Sequence, residues 1–99
     1  PTQWNQVATL DMSHSASKLV TAADFSADGS QLAVRTYRDV LLWDRAPGTN
    51  AWSPFGQQPV DGPAVSETQG EAIAFHPDGQ GYVTVSEGTG QTLHEYTIR

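Results

Sequence analysis

The hydrophobic and polar positions of the chain form one pattern that occurs twice. Each copy is an apolar run ending at a phenylalanine, then a turn containing Asp-Gly, then a run in which apolar and polar residues alternate. Alternation is typical of a half-buried β-strand, and glycine accepts the positive φ that tight hairpin turns require. The pattern therefore predicts two β-hairpins, 50 residues apart, with phenylalanines Phe25 and Phe75 and turns Asp28-Gly29 and Asp78-Gly79.

A third strand is predicted after each hairpin. The first runs from Val40 to Asp44 and follows a tight connection at Arg38-Asp39. Its counterpart, over residues 92–98, follows a looser connection that contains Gly-Thr-Gly, so Trp43 aligns with Tyr96 at an offset of 53 residues. Each half of the chain is therefore expected to contain three consecutive antiparallel strands.

An outer strand is predicted before each set of three. Trp4 aligns with Trp52 at an offset of 48 residues, which places these strands at residues 3–10 and 51–58. The three-strand cores are expected over residues 19–45 and 71–98, and the polar segment 58–70, with two prolines, is interpreted as a loop. Four short strands in a period near 50 residues are typical of a β-propeller blade. The sequence thus predicts an all-β fold in which residues 1–99 form one unit of two four-stranded blades.

Composition narrows the classes of function. The chain has 99 residues, enough for one small domain, and no cysteine, which excludes disulfides and cysteine metal ligands. A net charge of −6 with five scattered cations argues against nucleic acid and anionic membranes as partners. No apolar run approaches the roughly 18 residues of a membrane span, and no signal peptide is predicted. We expect a soluble protein, bacterial cytoplasmic or secreted, and a processed or excised chain because it does not begin with Met.

Two stretches carry a family resemblance. Residues 23–34 contain a Phe-Ser-Ala-Asp-Gly turn and an alternating strand, and Val40 to Asp44 closes on Trp-Asp. This resembles the repeat of WD-type β-propellers, which reads as a Phe-Ser-Pro-Asp-Gly turn, an alternating strand and a strand ending on Trp-Asp. The second half keeps Pro-Asp-Gly but ends on Tyr96-Thr97, and the usual Gly-His before the first inner strand is missing. The resemblance is therefore WD-like, and it implies the propeller fold without a particular activity.

A narrower resemblance concerns calcium. Residues 70–75 and 82–88 resemble a blade of calcium-dependent propeller phytases and their esterase-like relatives. In that family acidic residues at such positions face the central channel and bind calcium, which implies Glu71 and Glu87 as candidate metal ligands. The first half has Thr21 and Tyr37 at the corresponding positions, so these carboxylates would recur only in every second blade. Calcium is the cofactor that this resemblance implies.

Two blades are too few for a propeller, which typically has 4–8. The first outer strand has no blade before it in this sequence, and the last blade has no outer strand after it. We therefore expect the N-terminal outer strand of one chain to complete the last blade of a neighbouring copy, in a head-to-tail ring. Three chains would give six blades and four would give eight, and the trimer is the preferred prediction.

The function expected from these features is a non-enzymatic scaffold or interaction module. Small two-blade lectins that trimerise use blade-junction aromatics to stack on sugars, and this resemblance implies a glycan site at Trp4 and Trp52, helped by Arg35 and Tyr37. A fragment of a calcium-dependent phytase-like or esterase-like hydrolase is the other alternative. The three histidines lack the spacing of metal ligands, and no Gly-x-Ser-x-Gly element is present, so no catalytic residue is predicted.

Overall fold

The computed structural model describes residues 9–10, 12–13, 15, 17, 19–50, 57–63, 70–86 and 93–97. These residues form seven β-strands in two antiparallel sheets, without a helix, so the predicted all-β class is confirmed. The first sheet has the order β1 (Val20–Phe25), β2 (Gln31–Thr36), β3 (Val40–Asp44), β4 (Val60–Gly62). The second sheet has the order β5 (Gly70–Phe75), β6 (Gly81–Ser86), β7 (Leu93–Thr97).

Both Asp-Gly turns have the backbone that the sequence predicts. Gly29 has a φ of 74° and Gly79 a φ of 73°, values that glycine adopts without the steric penalty of a side chain. Gly29 N donates to Ser26 O at 2.8 Å, and Gly79 N donates to His76 O at 3.0 Å. The same turn therefore joins the first two strands of each sheet.

The two sheets also share their strand register. Pairs between the first and second strands are shifted by 50 residues from one sheet to the other, and a β-bulge follows the first pair in both sheets. The third strands keep the predicted offset of 53. The sequence repeat is therefore a repeat of backbone structure. Corresponding pairs are Val20–Thr36 and Gly70–Ser86 beside the bulge, and Leu32–Trp43 and Tyr82–Tyr96 between the second and third strands.

The outer strand of the first sheet lies later in the chain than predicted. β4 pairs with β3 over Val60–Gly62, so the prediction of a loop over residues 58–70 is wrong at these three residues and at Gly70, where β5 begins. The described residues of the predicted outer strands 51–58 and 3–10 are not in strands, and the other residues of both ranges lie outside the described part of the chain. Prolines on both sides of β4 give it the sequence of a loop, although proline is tolerated at the ends of an edge strand.

The two sheets pack against each other through β1, β2 and β5. Ala22, Phe75 and Tyr96 pack at the margin of the core between them. Two hydrogen bonds cross the same junction: Phe75 N donates to Asp24 Oδ2 at 2.8 Å, and Arg35 Nη1 donates to Ala72 O at 3.3 Å. The sheets are thus joined by apolar burial and by polar contacts to backbone atoms. The buried core residues are Ala33, Val40, Leu42, Ile73 and Tyr82.

The opposite side of the first sheet has a core of its own. Leu10 and Met12, from the segment before β1, pack on this side. Ser15 anchors the segment, because its hydroxyl lies 3.0 Å and 3.1 Å from the two carboxylate oxygens of Asp39 in the β2–β3 connection. β2 and β3 are therefore covered on both sides. The buried residues of this second core are Leu32, Val34, Leu41 and Trp43.

Tyr82 connects the second sheet with the end of β4. Its side chain is fully buried, and its hydroxyl donates a hydrogen bond to the carbonyl oxygen of Pro63. A Cβ on Gly62 would lie 2.6 Å from that hydroxyl oxygen, so the missing side chain makes room for the contact. Burial raises the pKa of Tyr82, which keeps the hydroxyl a neutral donor at physiological pH.

Candidate interaction surface

The side of the first sheet that packs on the second sheet can be compared residue by residue with the same side of the second sheet. We term it the joining face, and it is formed by alternate residues of β1, β2 and β3. The register repeat defines the same side of the second sheet, which we term the open face. The joining face consists of Ala22, Asp24, Ala33, Arg35, Val40 and Leu42. The corresponding residues of the open face are Ala72, Ala74, Val83, Val85, Leu93 and Glu95.

The open face is accessible, whereas the joining face is enclosed. In the open face, the two alanines of β5 are exposed, the two valines of β6 are half-buried, and Leu93 exposes 62% of its surface. The residue of the joining face that corresponds to Leu93 is Val40, which is fully buried. Side chains of the same kind are therefore in a core on one sheet and at the surface on the other. A contiguous exposed apolar patch is typical of a protein–protein contact site.

β7 adds an open edge to this face. In the first sheet β4 pairs with β3, whereas in the part of the chain that the structure describes β7 has β6 on one side and no strand on the other. The edge of a strand presents N–H and C=O groups that can pair with a strand of another chain. Burial reflects the difference, because four of the five residues of β3 are buried and none of β7 is.

The charged position of the open face is paired with a histidine. Glu95 Oε2 lies 2.9 Å from His76 Nε2, in the turn between β5 and β6. The corresponding residues of the first sheet are Leu42, which is buried, and Ser26. Both members of the pair keep access to water, so the interaction adds little stability. It lies at one margin of the face and leaves the alanines, valines and Leu93 as a continuous apolar area.

The structure describes two members of the predicted sugar-binding set. Arg35 is fully buried in the joining face, where it donates to the Ala72 carbonyl oxygen. This position does not fit the exposed site that the sequence suggests for Arg35, because the guanidinium forms a hydrogen bond between the two sheets. Tyr37 is half-buried and lies in the β2–β3 connection. Trp4 and Trp52 lie outside the described residues, so the glycan site stays a prediction.

The calcium site also stays a prediction. Glu71 lies in β5 with only its backbone described, and Glu87 lies outside the described residues. Among the side chains that the structure does describe, no group of three or more His, Asp or Glu is arranged to hold a metal ion.

A polar cleft of about 500 Å³ lies between the two Asp-Gly turns. Three carboxylates line it, those of Asp28, Asp44 and Asp78, beside the guanidinium of Arg45. Arg45 is held by backbone oxygens, since Nη1 donates to Gly29 O at 2.9 Å and Nη2 to Thr49 O at 2.7 Å. The cleft is formed by turns far apart in the chain, which is why sequence patterns do not predict it. The remaining lining residues are Ser26, Ser30, Gln31, Gly79 and Gln80.

Asp28 is committed to its own turn. Its Oδ1 accepts hydrogen bonds from Ser30 N at 2.9 Å, Ser30 Oγ at 2.7 Å and Ser26 Oγ at 2.9 Å. These bonds, that from the Ser30 backbone most of all, lower the pKa of Asp28. In the second turn Asp78 Oδ1 accepts from Gln80 N at 2.8 Å. Both aspartates therefore have the turn-stabilising role that the sequence predicts.

No helix in the described ranges is long and apolar enough to cross a membrane. No family model, curated protein or solved structure matches the chain. The open face and the edge of β7 are the features of the second sheet that differ most from their counterparts in the first sheet.

Proposed function

We propose that the chain is a two-blade unit of a β-propeller and acts as a non-enzymatic scaffold that assembles with further copies of itself. The observation that carries this proposal is the open face, which repeats position by position a face that is buried within the chain. The consecutive antiparallel strands of each sheet and their shared register are typical of propeller blades. The scaffold function is supported by the two largest differences between the sheets, the accessible open face and the edge of β7, which are both features suited to contact with another chain.

The partner that fits the open face is the first sheet of a second copy. Within the chain, the joining face packs on the side of the second sheet that contains Ile73 and Phe75. The residues that correspond to these two in the first sheet are Ala23 and Phe25. Both are exposed, Phe25 by 37%. A second copy can therefore approach the open face with the exposed β1 side of its first sheet, which is a heterologous contact. Over β2 and β3 the same side is covered by Leu10 and Met12.

Assembly would also supply a fourth strand to the second sheet. The N-terminal strand predicted over residues 3–10 of the neighbouring copy is the candidate to pair with β7. Leu10, the last residue of this predicted segment, and Met12 after it pack on the first sheet, so the segment leads from the first sheet of its own copy. Propellers typically contain 4–8 blades, which three or four copies of two blades provide. We propose three copies and six blades, with four copies as the second choice.

The molar mass in solution tests the proposal. Light scattering on the purified chain at low micromolar concentration is expected to give three times the chain mass of 10.7 kDa. Four times that mass would support the ring with a different number of copies. A folded monomer at this concentration would overturn the proposal, since the open face and the edge of β7 would then be stable in water.

A pair of matched variants tests where the contact lies. Leu93→Asp places a charge on the open face and is expected to produce monomers, because an ionised carboxylate cannot be buried without a partner. Val60→Asp is the control, since Val60 lies on β4 and is equally exposed, 66% against 62% for Leu93. The control is expected to assemble as the wild type does. Equal loss of assembly in both variants would count against a contact at the open face.

A further inference from the structure

We infer that Leu10 and Met12 of one copy lie in the strand that pairs with the edge of β7 in a neighbouring copy, antiparallel and in the register that β4 has on β3. This inference rests on the proposed function and adds the residues and the register of the contact. It places the pairing segment at the end of the predicted strand 3–10 and just beyond it. The observations that support it concern β4, which holds the corresponding place within the chain.

The segment before β1 has the sequence position of β4. The hairpins of the two sheets are 50 residues apart, and the same offset aligns Val60-Asp61-Gly62 of β4 with Leu10-Asp11-Met12. Both stretches begin with an apolar residue followed by aspartate, and both precede the first strand of the next sheet by the same number of residues. Asp11 lies outside the described residues, and its two neighbours are described. The repeat therefore extends to the segment before each sheet.

The two segments also contact the same side of the sheet that follows them. β4 leads to the second sheet at Tyr82, whose hydroxyl donates to the Pro63 carbonyl oxygen. Leu10 and Met12 pack on the first sheet over a cluster that contains Leu32. Leu32 has the position in β2 that Tyr82 has in β6. Each segment thus covers the corresponding position of the next sheet.

The sizes of the side chains are exchanged at this contact. Gly62 leaves room for the large side chain of Tyr82, since a Cβ on Gly62 would lie 2.6 Å from the Tyr82 hydroxyl oxygen. The corresponding positions in the first half hold Met12 in the segment and the smaller Leu32 in the strand. A small residue facing a large one in one half, and the reverse in the other, fill a similar space. This exchange supports the same placement of both segments.

The two segments differ in their pairing. β4 pairs with β3, whereas among the described residues neither Leu10 nor Met12 pairs with a strand. β7 corresponds to β3, and in the described part of the second sheet its outer edge has no strand. Leu10 and Met12 pack on the side of the first sheet that faces away from the second sheet. The β7 edge that they fit therefore belongs to another copy, and the pairing completes its backbone hydrogen bonds.

The pairing of β3 with β4 gives the register of the contact between copies. Val40 of β3 pairs with Gly62 of β4. Leu93 has the position of Val40 in the repeat. Met12 is therefore opposite Leu93, and these two apolar side chains lie on the same side of the completed sheet. The second pair, two residues along both strands, is Leu10 with Glu95.

Disulfide cross-linking between copies tests this register, because the chain has no cysteine of its own. Opposite residues of antiparallel strands have Cα atoms about 4.5–5.5 Å apart, and a disulfide spans about 4.4–6.8 Å. Diagonal neighbours are about 7–8 Å apart, which is too far without backbone movement. Four variants with one cysteine each are needed: Leu10→Cys, Met12→Cys, Leu93→Cys and Glu95→Cys.

The variants are mixed in pairs in urea, refolded together and oxidised, and mass spectrometry identifies the linked products. The opposite pairs, Met12→Cys with Leu93→Cys and Leu10→Cys with Glu95→Cys, are expected to form heterodimers. The crossed pairs, Met12→Cys with Glu95→Cys and Leu10→Cys with Leu93→Cys, are the matched controls and are expected to link several-fold more slowly. Each cysteine occurs in one opposite and one crossed mixture, so differences in thiol reactivity cancel. Circular dichroism of the reduced variants establishes that they are folded.

The outcomes separate this inference from the proposed function. A monomeric wild type in light scattering overturns both. An assembling wild type whose four mixtures link equally, or not at all, overturns the inference and leaves the scaffold in place. Faster linking of the crossed pairs would indicate parallel strands, and a predominant homodimer of Leu93→Cys would indicate two β7 edges in contact. Either result also overturns the inference.

Discussion

The first and second sheets have the same backbone and different surroundings. Strand pairs, the bulge and the hairpin turn recur at fixed offsets in both sheets. In the first sheet, β4 pairs with β3 and both sides of β2 and β3 are covered. In the second, the described strands end at β7 and the open face is accessible. The comparison shows that burial in this repeat is decided by the neighbours of a sheet and not by its own pattern.

Trp43 and Tyr96 illustrate this point at one position. Both lie in the third strand of their sheets, opposite Leu32 and Tyr82. Trp43 is 2% exposed and its Nε1 donates to Gln57 O at 2.9 Å. Tyr96 is half-buried, with its ring 5.4 Å from the ring of Tyr82. Equivalent aromatic residues thus contribute to a closed core in one sheet and to the margin of a core in the other.

The largest effect is expected from removing these two aromatic side chains. Trp43→Ala should lower the free energy of unfolding by about 3–5 kcal/mol, because it leaves a cavity in a closed core. Tyr96→Ala should lower it by about 1–2 kcal/mol, since the ring is only partly buried. Urea denaturation followed by fluorescence and circular dichroism measures both values. Equal losses would show that the covers of the first sheet do not stabilise its core.

A smaller effect is expected where β6 begins. A Cβ on Gly81 would lie 1.9 Å from the carbonyl oxygen of Tyr96, so β7 must shift to accept a side chain. Gly81→Ala is expected to cost about 1–3 kcal/mol, the usual range for overpacking. In the first sheet Gln31 occupies the same position with a full side chain, and Gln31→Ala is expected to change stability by less than about 0.5 kcal/mol. Thermal melts of both variants test the difference. If Gln31→Ala lowered stability as much as Gly81→Ala does, the expected difference between the two sheets at this position would be contradicted.

The contact between β4 and the second sheet should contribute about 1 kcal/mol. Tyr82→Phe removes the hydroxyl that donates to the Pro63 carbonyl oxygen, and the net value of one buried hydrogen bond is about 0.5–1.5 kcal/mol. Because burial raises the pKa of Tyr82 above its ordinary 10.0, this stabilisation is present below pH 10 and is lost as the pH rises further. Denaturation at pH 8 and 11 is expected to show this loss in the wild type and a weaker one in Tyr82→Phe. An identical alkaline loss in both proteins would assign it to another group.

The smallest effect is expected at the turns. Hydrogen bonds in the first turn lower the pKa of Asp28 below 3.8, so its contribution is present above that pH and is lost as the pH falls further. Asp28→Asn should therefore lower the melting temperature slightly at pH 7, and the difference from the wild type should shrink as the pH falls below 3.8. Asp78→Asn is the counterpart in the second turn, where the serines that donate to Asp28 are replaced by His76 and Gln80. A larger effect of Asp78→Asn would reverse the expected order of the two turns.

Local chemistry in the sequence predicts much of the backbone. The Asp-Gly pairs require glycine at a positive φ, and the structure has Gly29 and Gly79 in that conformation. The alignment of Trp43 with Tyr96 predicts the register of the third strands, which the structure confirms. These features depend on residues close in sequence or on the repeat itself, and so a pattern is enough to find them.

Contacts between the sheets are beyond such patterns. The hydrogen bond from Phe75 N to Asp24 joins residues 51 positions apart, and Arg35 is buried where the two sheets meet. From the sequence alone, the side chains of Asp24 and Arg35 would be predicted to lie on the solvated side of a strand. The sequence pattern does not predict β4 for another reason. Its three residues between prolines are too few to show the alternation of a strand. The predicted glycan and calcium residues Trp4, Trp52 and Glu87 lie outside the described residues. The exposure of Leu93 and the position of β7 at the end of the described second sheet point to the candidate surface, and no local pattern predicts either.

The open face would also decide how the proposed assembly stops growing. Each copy that joins would cover one open face and bring another, so a row of any length would keep one accessible end, and only closure into a ring would remove it. Closure would depend on the angle between the two sheets, and Ala33, Ile73 and Tyr82 pack together in the core between them. A substitution in this core that changes the angle would then favour an open filament over a ring of defined mass.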